Sequence, residues 1–126
     1  MYVRFVVSVR RGRGHVRRGL FRLADRLESC RRLDAEERRR ADALIAWFNR
    51  RLTVPWDEVF LGEAGLCWYK ASALACLERS RDLAALYRRA GWNALEIWNR
   101  DPGVVTYEDE AQIVARPRHG QDRAAY

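Results

Sequence analysis

Lysine is almost missing from this chain of 126 residues. Of its 24 basic residues only Lys70 is a lysine, and the others are arginines. A Walker-type nucleotide loop needs a lysine on the phosphates, and nuclease sites of the restriction type place one beside their carboxylates. The scarcity of lysine therefore argues against both classes. A GC-rich coding sequence also favours arginine, so arginine usage alone does not predict phosphate recognition.

Long apolar runs and a metal-ligand pattern of cysteines are missing too. No stretch approaches the roughly 18 apolar residues of a membrane helix, and the amino terminus lacks the features of a signal peptide. The three cysteines, Cys30, Cys67 and Cys76, have neither the number nor the spacing of a disulfide framework or a zinc site. We therefore expect a cytoplasmic protein with buried thiols, no cofactor, no metal site and no membrane partner.

The composition is that of one folded domain. Hydrophobic residues make up 48% of the chain, which is enough apolar material to form a core. Residues 1–116 are predicted to form a single basic α+β domain. Residues 117–126 lack a core pattern and are predicted to be a tail.

Hydrophobic periodicity predicts the order β-α-α-α-β-β-β. Alternation over residues 2–9 indicates a strand, and apolar residues at intervals of three and four predict a helix over 16–32. Asp34 and Glu37 have the capping-box spacing, so a second helix should begin there. It should end before Pro55.

The rest of the chain is predicted to contain a loop over 53–67, a third helix and three strands. The third helix should cover residues 69–90, with Gly91 as its C-terminal cap. Beyond it the period changes to two, which predicts short strands around 94–98, 104–107 and 111–115. We expect these strands to pair as a meander and the first strand to join them, so that three helices pack on one face of a mainly antiparallel four-stranded sheet.

An uncovered sheet face is the first candidate binding surface. If Leu95 and Ile97 pack under the helices, Trp98 lies on the opposite face. That face would combine aromatic rings with guanidinium groups, contributed by Tyr2, Arg4, Trp98, Arg100 and Arg116. Such a mixture suits stacking on single-stranded nucleic acid, and it also suits a protein partner. The alternative is that the tail or the 53–67 loop covers this face.

A basic loop over residues 10–18 is the second candidate surface. It carries Arg10, Arg11, Arg13, His15, Arg17 and Arg18. Arg10 and His15 have the R-x4-H spacing of certain ribonucleases, which resembles a catalytic motif. In that family the motif starts on a helix, whereas here it lies in a glycine-broken loop. We therefore predict phosphate contact or a solvated loop there, and no catalytic residue.

Acidic residues offer one further site to consider. Glu108, Asp109 and Glu110 are consecutive, and Glu96 lies on a neighbouring predicted strand. Such carboxylates could bind a hard cation, but acids at a hairpin tip usually face water. Nuclease activity is thus a minor hypothesis.

The formal net charge of +7 favours a polyanionic partner. The leading hypothesis is a non-enzymatic accessory protein that binds nucleic acid or a nucleoprotein through the basic loop and the open sheet face. The second is a protein-binding module that recognises an acidic surface. Such a module could be a subunit, an adaptor or a small inhibitor of the kind carried by mobile elements and bacterial defence systems.

Overall fold

The computed structural model describes residues 1–53 and 65–118. In these residues the chain is α+β, with three helices and a six-stranded sheet rather than the predicted four strands. The elements in chain order are β1 (Tyr2–Arg11), β2 (Gly14–Gly19), a 3₁₀ turn (Leu20–Leu23), α1 (Ala24–Glu28), α2 (Ala35–Arg51), β3 (Leu66–Lys70), α3 (Leu74–Arg89), β4 (Asn93–Asn99), β5 (Val104–Glu108) and β6 (Gln112–Arg116).

Strand β1 organises the sheet because three other strands pair with it, all antiparallel. One edge is covered by β4 from Tyr2 to Ser8. The other edge is shared end to end by β3, which pairs at Tyr2 and Val3, and by β2, which pairs from Val6 onward. Strand β6 then joins β3, and β5 joins β6.

The predicted helix over 16–32 is wrong at its amino-terminal end. Residues 14–19 form strand β2, and helical geometry begins only with the 3₁₀ turn and the short α1. Leu20, Leu23 and Leu27 are buried as their helical spacing indicates. The hydrogen bonds offered by β1 therefore override the apparent period at Val16.

The two longer helices follow their local signals. Asp34 accepts a hydrogen bond from the Glu37 amide, and the Glu37 side chain accepts one from the Asp34 amide, which confirms the capping box that starts α2. Helix α3 ends at Arg89, and Gly91 follows the C-cap residue Ala90 with a φ of 98°, which suits glycine. Its predicted beginning was wrong, because residues 66–70 form β3 before the helix starts at Leu74.

The predicted meander of the last three strands is also wrong. Strands β5 and β6 pair, but β4 lies at the opposite edge of the sheet, beside β1. Four strand spacings in a flat sheet would separate the two edges by about 19 Å, whereas the connection from Asn99 to Val104 reaches at most about 18 Å. The sheet is therefore curled and not flat, and Pro102 and Gly103 are buried at the β4–β5 junction.

Both sides of the sheet are packed. On the helix side Val3, Phe5 and Val7 lie in a core with buried residues of α2 and α3. On the second side Trp68, Ile113 and Ala115 form another buried cluster, against which Tyr2 and Ile97 pack. The second side is therefore not the open face that the sequence suggested.

None of the helices in the described residues is long and apolar enough to span a membrane. Most of the predicted tail and most of the predicted 53–67 loop lie outside the described residues. At the described end of the chain, Arg118 forms an ion pair with Asp101.

Candidate functional site

The predicted basic loop is a protruding two-stranded hairpin. Strand β4 ends opposite Ser8, so in the part of the chain that the structure describes β1 beyond that point pairs only with β2. The closing pair is Arg11 and Gly14, which leaves a two-residue turn of Gly12 and Arg13. Gly12 has a φ of 61°, as the first central residue of a primed hairpin turn requires. We call residues 8–18 the arginine ribbon.

The arginine ribbon carries positive charge on both of its faces. Arg10, His15 and Arg17 alternate onto the second side of the sheet, and Arg11 and Arg18 onto the helix side. Arg13 lies at the tip. All of these side chains are exposed except Arg18, which is half-buried.

The ribbon contains no acidic residue that could neutralise these charges. Among residues 1–53 and 65–118, none of the salt bridges involves a ribbon arginine. Within the described parts of the chain, one hydrogen bond from a ribbon guanidinium is present, from Arg18 to the Arg17 carbonyl at 3.5 Å. The ribbon arginines are thus available to an external anion.

The pairing explains the spacing of Arg10 and His15. These residues are direct partners across the hairpin, on the same face. Both side chains are exposed on the surface of the hairpin. Their R-x4-H spacing follows from the hairpin register and not from a helical motif.

The second predicted set, Tyr2, Arg4, Trp98, Arg100 and Arg116, does not form one surface. Tyr2 packs against the Trp68 cluster, and the half-buried Arg4 donates to the Cys67 carbonyl at 3.0 Å. Trp98 pairs with Val3 and therefore lies on the helix side, opposite to the prediction. Arg100 and Arg116 are exposed near the β4–β5 junction.

Trp98 and Glu96 join β4 to α3. The Trp98 indole donates to a Glu96 carboxylate oxygen at 2.7 Å, and Arg81 pairs with the same carboxylate at 2.8 Å. The hydrogen bond from Arg81 is the main reason that the pKa of Glu96 lies below its usual value. Glu96 is thereby engaged in structure and lies apart from the acidic turn.

The acidic turn is also organised by internal contacts. Glu108 pairs with Lys70 across the strands. Asp109 accepts hydrogen bonds from the Ala111 and Gln112 amides, from the Gln112 side chain and from the Tyr107 hydroxyl. No group of three potential metal ligands occurs within the part of the chain that the structure describes. These contacts indicate that Glu108 and Asp109 stabilise the turn.

The Asp109 contacts predict an acid-sensitive turn. Burial raises the pKa of Asp109, but the hydrogen bonds from Ala111, Gln112 and Tyr107 outweigh it and hold the pKa below its usual value. Ionised Asp109 therefore stabilises the fold above about pH 4, and this contribution is lost as the pH falls through the folded-state pKa. We expect Asp109→Asn to lower the free energy of unfolding by about 1–3 kcal/mol at pH 7 and by less at pH 3.

Urea denaturation at the two pH values measures this difference. Glu110→Gln, a change in the same turn at an exposed carboxylate, is the matched control and should leave both midpoints nearly unchanged. An equal loss for Asp109→Asn at pH 7 and pH 3 would contradict the role given to its charge.

An apolar cavity lies where β2 and β3 separate along the edge of β1. Its volume is about 340 Å³, and its lining includes Phe5, Leu20, Phe48 and Tyr69. Two of its polar lining groups are engaged in the protein: Arg4 donates to the Cys67 carbonyl, and Gln112 donates to the Thr53 carbonyl at 2.6 Å. The lining is mainly apolar, and a ligand site needs several polar groups that fix the ligand's orientation, so we assign no ligand to this cavity.

Sequence reasoning recognised the basic segment but not its shape. The signal was present, since alternating residues flank Gly12 and Arg13, which is the pattern of a two-residue hairpin turn. A second arginine cluster, around Trp47 between α2 and α3, was missed because its members come from two helices far apart in sequence. Its geometry is described below.

Comparisons with known proteins found no match: no family model, no curated protein and no solved structure matches this chain.

Proposed function

We propose that the protein binds nucleic acid through the arginine ribbon. The observation that carries the proposal is the ribbon itself, a hairpin that extends past the sheet with five arginines and no acid. Arg10 and Arg17 are diagonal neighbours on one face of the ribbon, so their like charges repel and raise the free energy of the bare ribbon. A polyanion removes this repulsion and gains the entropy of counterion release.

The shape of the ribbon favours a duplex. Residues 8–18 contain no Phe, Tyr or Trp, the large rings that serve as stacking platforms for unpaired bases. Tyr2 and Trp98, the rings first considered for stacking, lie on opposite sides of the sheet. The major groove of B-form DNA admits a two-stranded β-ribbon, whereas the major groove of A-form RNA is narrow. We therefore propose duplex DNA as the ligand.

The salt dependence of binding tests the proposal. Fluorescence anisotropy with a labelled 20-base-pair DNA should give an affinity that falls linearly with log salt, with a slope near −0.9 for each phosphate contacted. Replacing Arg10, Arg11 and Arg13 by Gln removes up to three contacts. We expect it to reduce the slope by about 2–3 and to weaken binding by about 10- to 100-fold at low salt.

The matched control removes the same charge elsewhere. Arg26, Arg31 and Arg39 are exposed arginines of the helical layer, and their joint replacement by Gln should change the slope by less than one. Equal losses in the two triple variants would show that net charge and not the ribbon governs binding. Tighter binding of the same-sequence single strand or RNA duplex would overturn the choice of B-form DNA.

A protein-binding role is the second candidate, and strand β5 favours it. Among the strands of the described residues this strand pairs only with β6, and Val104 and Val105 are 41% and 44% exposed. An exposed edge strand can accept a strand from another protein. Co-purification distinguishes the candidates: a stoichiometric polypeptide that survives a high-salt wash supports this role, and nucleic acid removed by that wash supports the first.

A further inference from the structure

A second cluster of arginines lines a pocket between α2 and α3. The pocket has a volume of about 280 Å³. Helix α2 contributes Arg40, Trp47 and Arg50, which are spaced so as to share one helix face, and α3 contributes Arg79 and Asp82. A single water occupies about 30 Å³ of liquid, so the pocket has room for a tetrahedral oxyanion and its hydration.

Trp47 holds the guanidinium groups in place. Arg79 lies over the indole ring with its Cζ 4.2 Å from the ring centroid, and Arg51 lies at 5.6 Å. The ring is itself fixed by an edge-to-face contact with Phe48, which is buried. A guanidinium stacked on an aromatic face keeps its N–H groups at its rim, directed away from the ring. The stacked arginine therefore loses less entropy when it binds an anion.

The charges in the pocket are unbalanced. Three arginines line it and Arg51 lies beside it, against the single carboxylate of Asp82. No salt bridge in the described parts of the chain involves any of these four arginines. A hydrogen bond of 3.4 Å from Arg79 to the Ala75 carbonyl uses one of its donors. Most donors of the cluster thus remain available to a ligand.

The pocket is separate from the arginine ribbon. Arg88 donates to the Ala94 carbonyl at 2.8 Å, and Ala94 pairs with Val7, next to the root of the ribbon. Arg79 lies nine residues earlier on α3, which places it about 13 Å further along the helix axis, away from that root. The two clusters therefore do not form one continuous patch.

We infer that the α2–α3 pocket binds a phosphate group. Several guanidinium groups converging on a concave site match the oxygens of a phosphate, which accept paired hydrogen bonds from arginine. The phosphate can belong to the backbone of a bound nucleic acid or to a free phosphate compound. This inference does not rest on the function proposed for the ribbon.

Titration with inorganic pyrophosphate, followed by the indole N–H resonance of Trp47 in an NMR spectrum, tests the site. The resonance is assigned with Trp47→Phe, and sodium chloride of equal ionic strength is the solvent control. We expect a saturable shift for pyrophosphate alone. Arg40→Gln with Arg50→Gln should raise the dissociation constant about tenfold or more, and Asp82→Asn should lower it about twofold.

The control pair Arg31→Gln with Arg39→Gln removes the same charge outside the pocket and should change the dissociation constant by less than about twofold. Absence of a saturable shift, or an equal effect of the two pairs, would overturn the inference.

Two further arms identify the source of the phosphate. A shift of Trp47 on adding the DNA duplex assigns a backbone phosphate, and a shift with pyrophosphate only assigns a free phosphate compound. Pyrophosphate binding should persist when Arg10, Arg11 and Arg13 are replaced by Gln, so failure of the ribbon proposal and failure of this one are distinguishable.

Discussion

Replacing Trp68 by Ala should lower the free energy of unfolding by about 3–5 kcal/mol. Trp68 lies in the middle of β3, pairs with Ile113 and is 1% exposed. Its removal would leave a cavity beside Ile113 and Ala115, in the cluster on the side of the sheet away from the helices. A loss of this size is a large part of the stability of an ordinary domain.

Trp98→Ala is the informative comparison for this change. Trp98 is 47% exposed and contributes one hydrogen bond to Glu96, so its loss should cost about 1 kcal/mol. Chemical denaturation of the two variants measures the difference. If Trp98→Ala cost as much as Trp68→Ala, the assignment of the two rings to surface and core would be wrong.

The position of Trp98 on the helix side of the sheet shows where sequence reasoning fails. In β4 the apolar residues Leu95 and Ile97 alternate with Ala94 and Trp98, so both sides of the strand carry apolar side chains. Alternation identifies the buried side only when the other side faces water. Because both sides of this sheet are packed, the pattern does not show which side of the sheet each β4 residue faces. The register of β4 with β1 determines this.

Interactions between residues close in sequence were sufficient to predict the start of α2. The capping box of Asp34 and Glu37 forms between residues three apart, and it correctly predicts the start of α2. For strand β2 the only local signal is the hairpin turn at Gly12 and Arg13, and the conformation of the strand itself depends on pairing with β1. For the candidate site, the sequence therefore predicts a basic segment at residues 10–18 but not its extension beyond the sheet as a hairpin.

The α2–α3 pocket could not be predicted from local sequence patterns. Trp47 and Arg79 are 32 residues apart, and their contact depends on how the two helices pack. The ion pair of Arg89 with Glu37 joins the other ends of these helices at 3.2 Å, which shows that they run antiparallel. Contacts of this kind arise from tertiary packing, for which hydrophobic periodicity identifies the buried faces but not the partners.

Gly103→Ala should destabilise the fold by at least about 3 kcal/mol. Gly103 has a φ of 132°, a conformation that residues with a side chain rarely adopt. A Cβ there would also overlap the carbonyl oxygen of Arg116 and lie 2.6 Å from its carbonyl carbon. Both obstacles are backbone atoms at the junction that connects the two edges of the curled sheet, so no side-chain rotation can relieve them.

Two other glycines separate the conformational cost from the steric one. Gly12 at the ribbon tip also has a positive φ, but a Cβ there meets nothing within 4 Å, so Gly12→Ala should cost only about 1–2 kcal/mol. Gly14 has neither restriction, and Gly14→Ala should change stability by less than about 0.5 kcal/mol. Urea denaturation of the three variants should therefore rank Gly103 far above Gly12, and Gly12 above Gly14. Equal losses at Gly103 and Gly12 would mean that the chain from β4 to β5 does not pass against Arg116, and the curled sheet would have to be reconsidered.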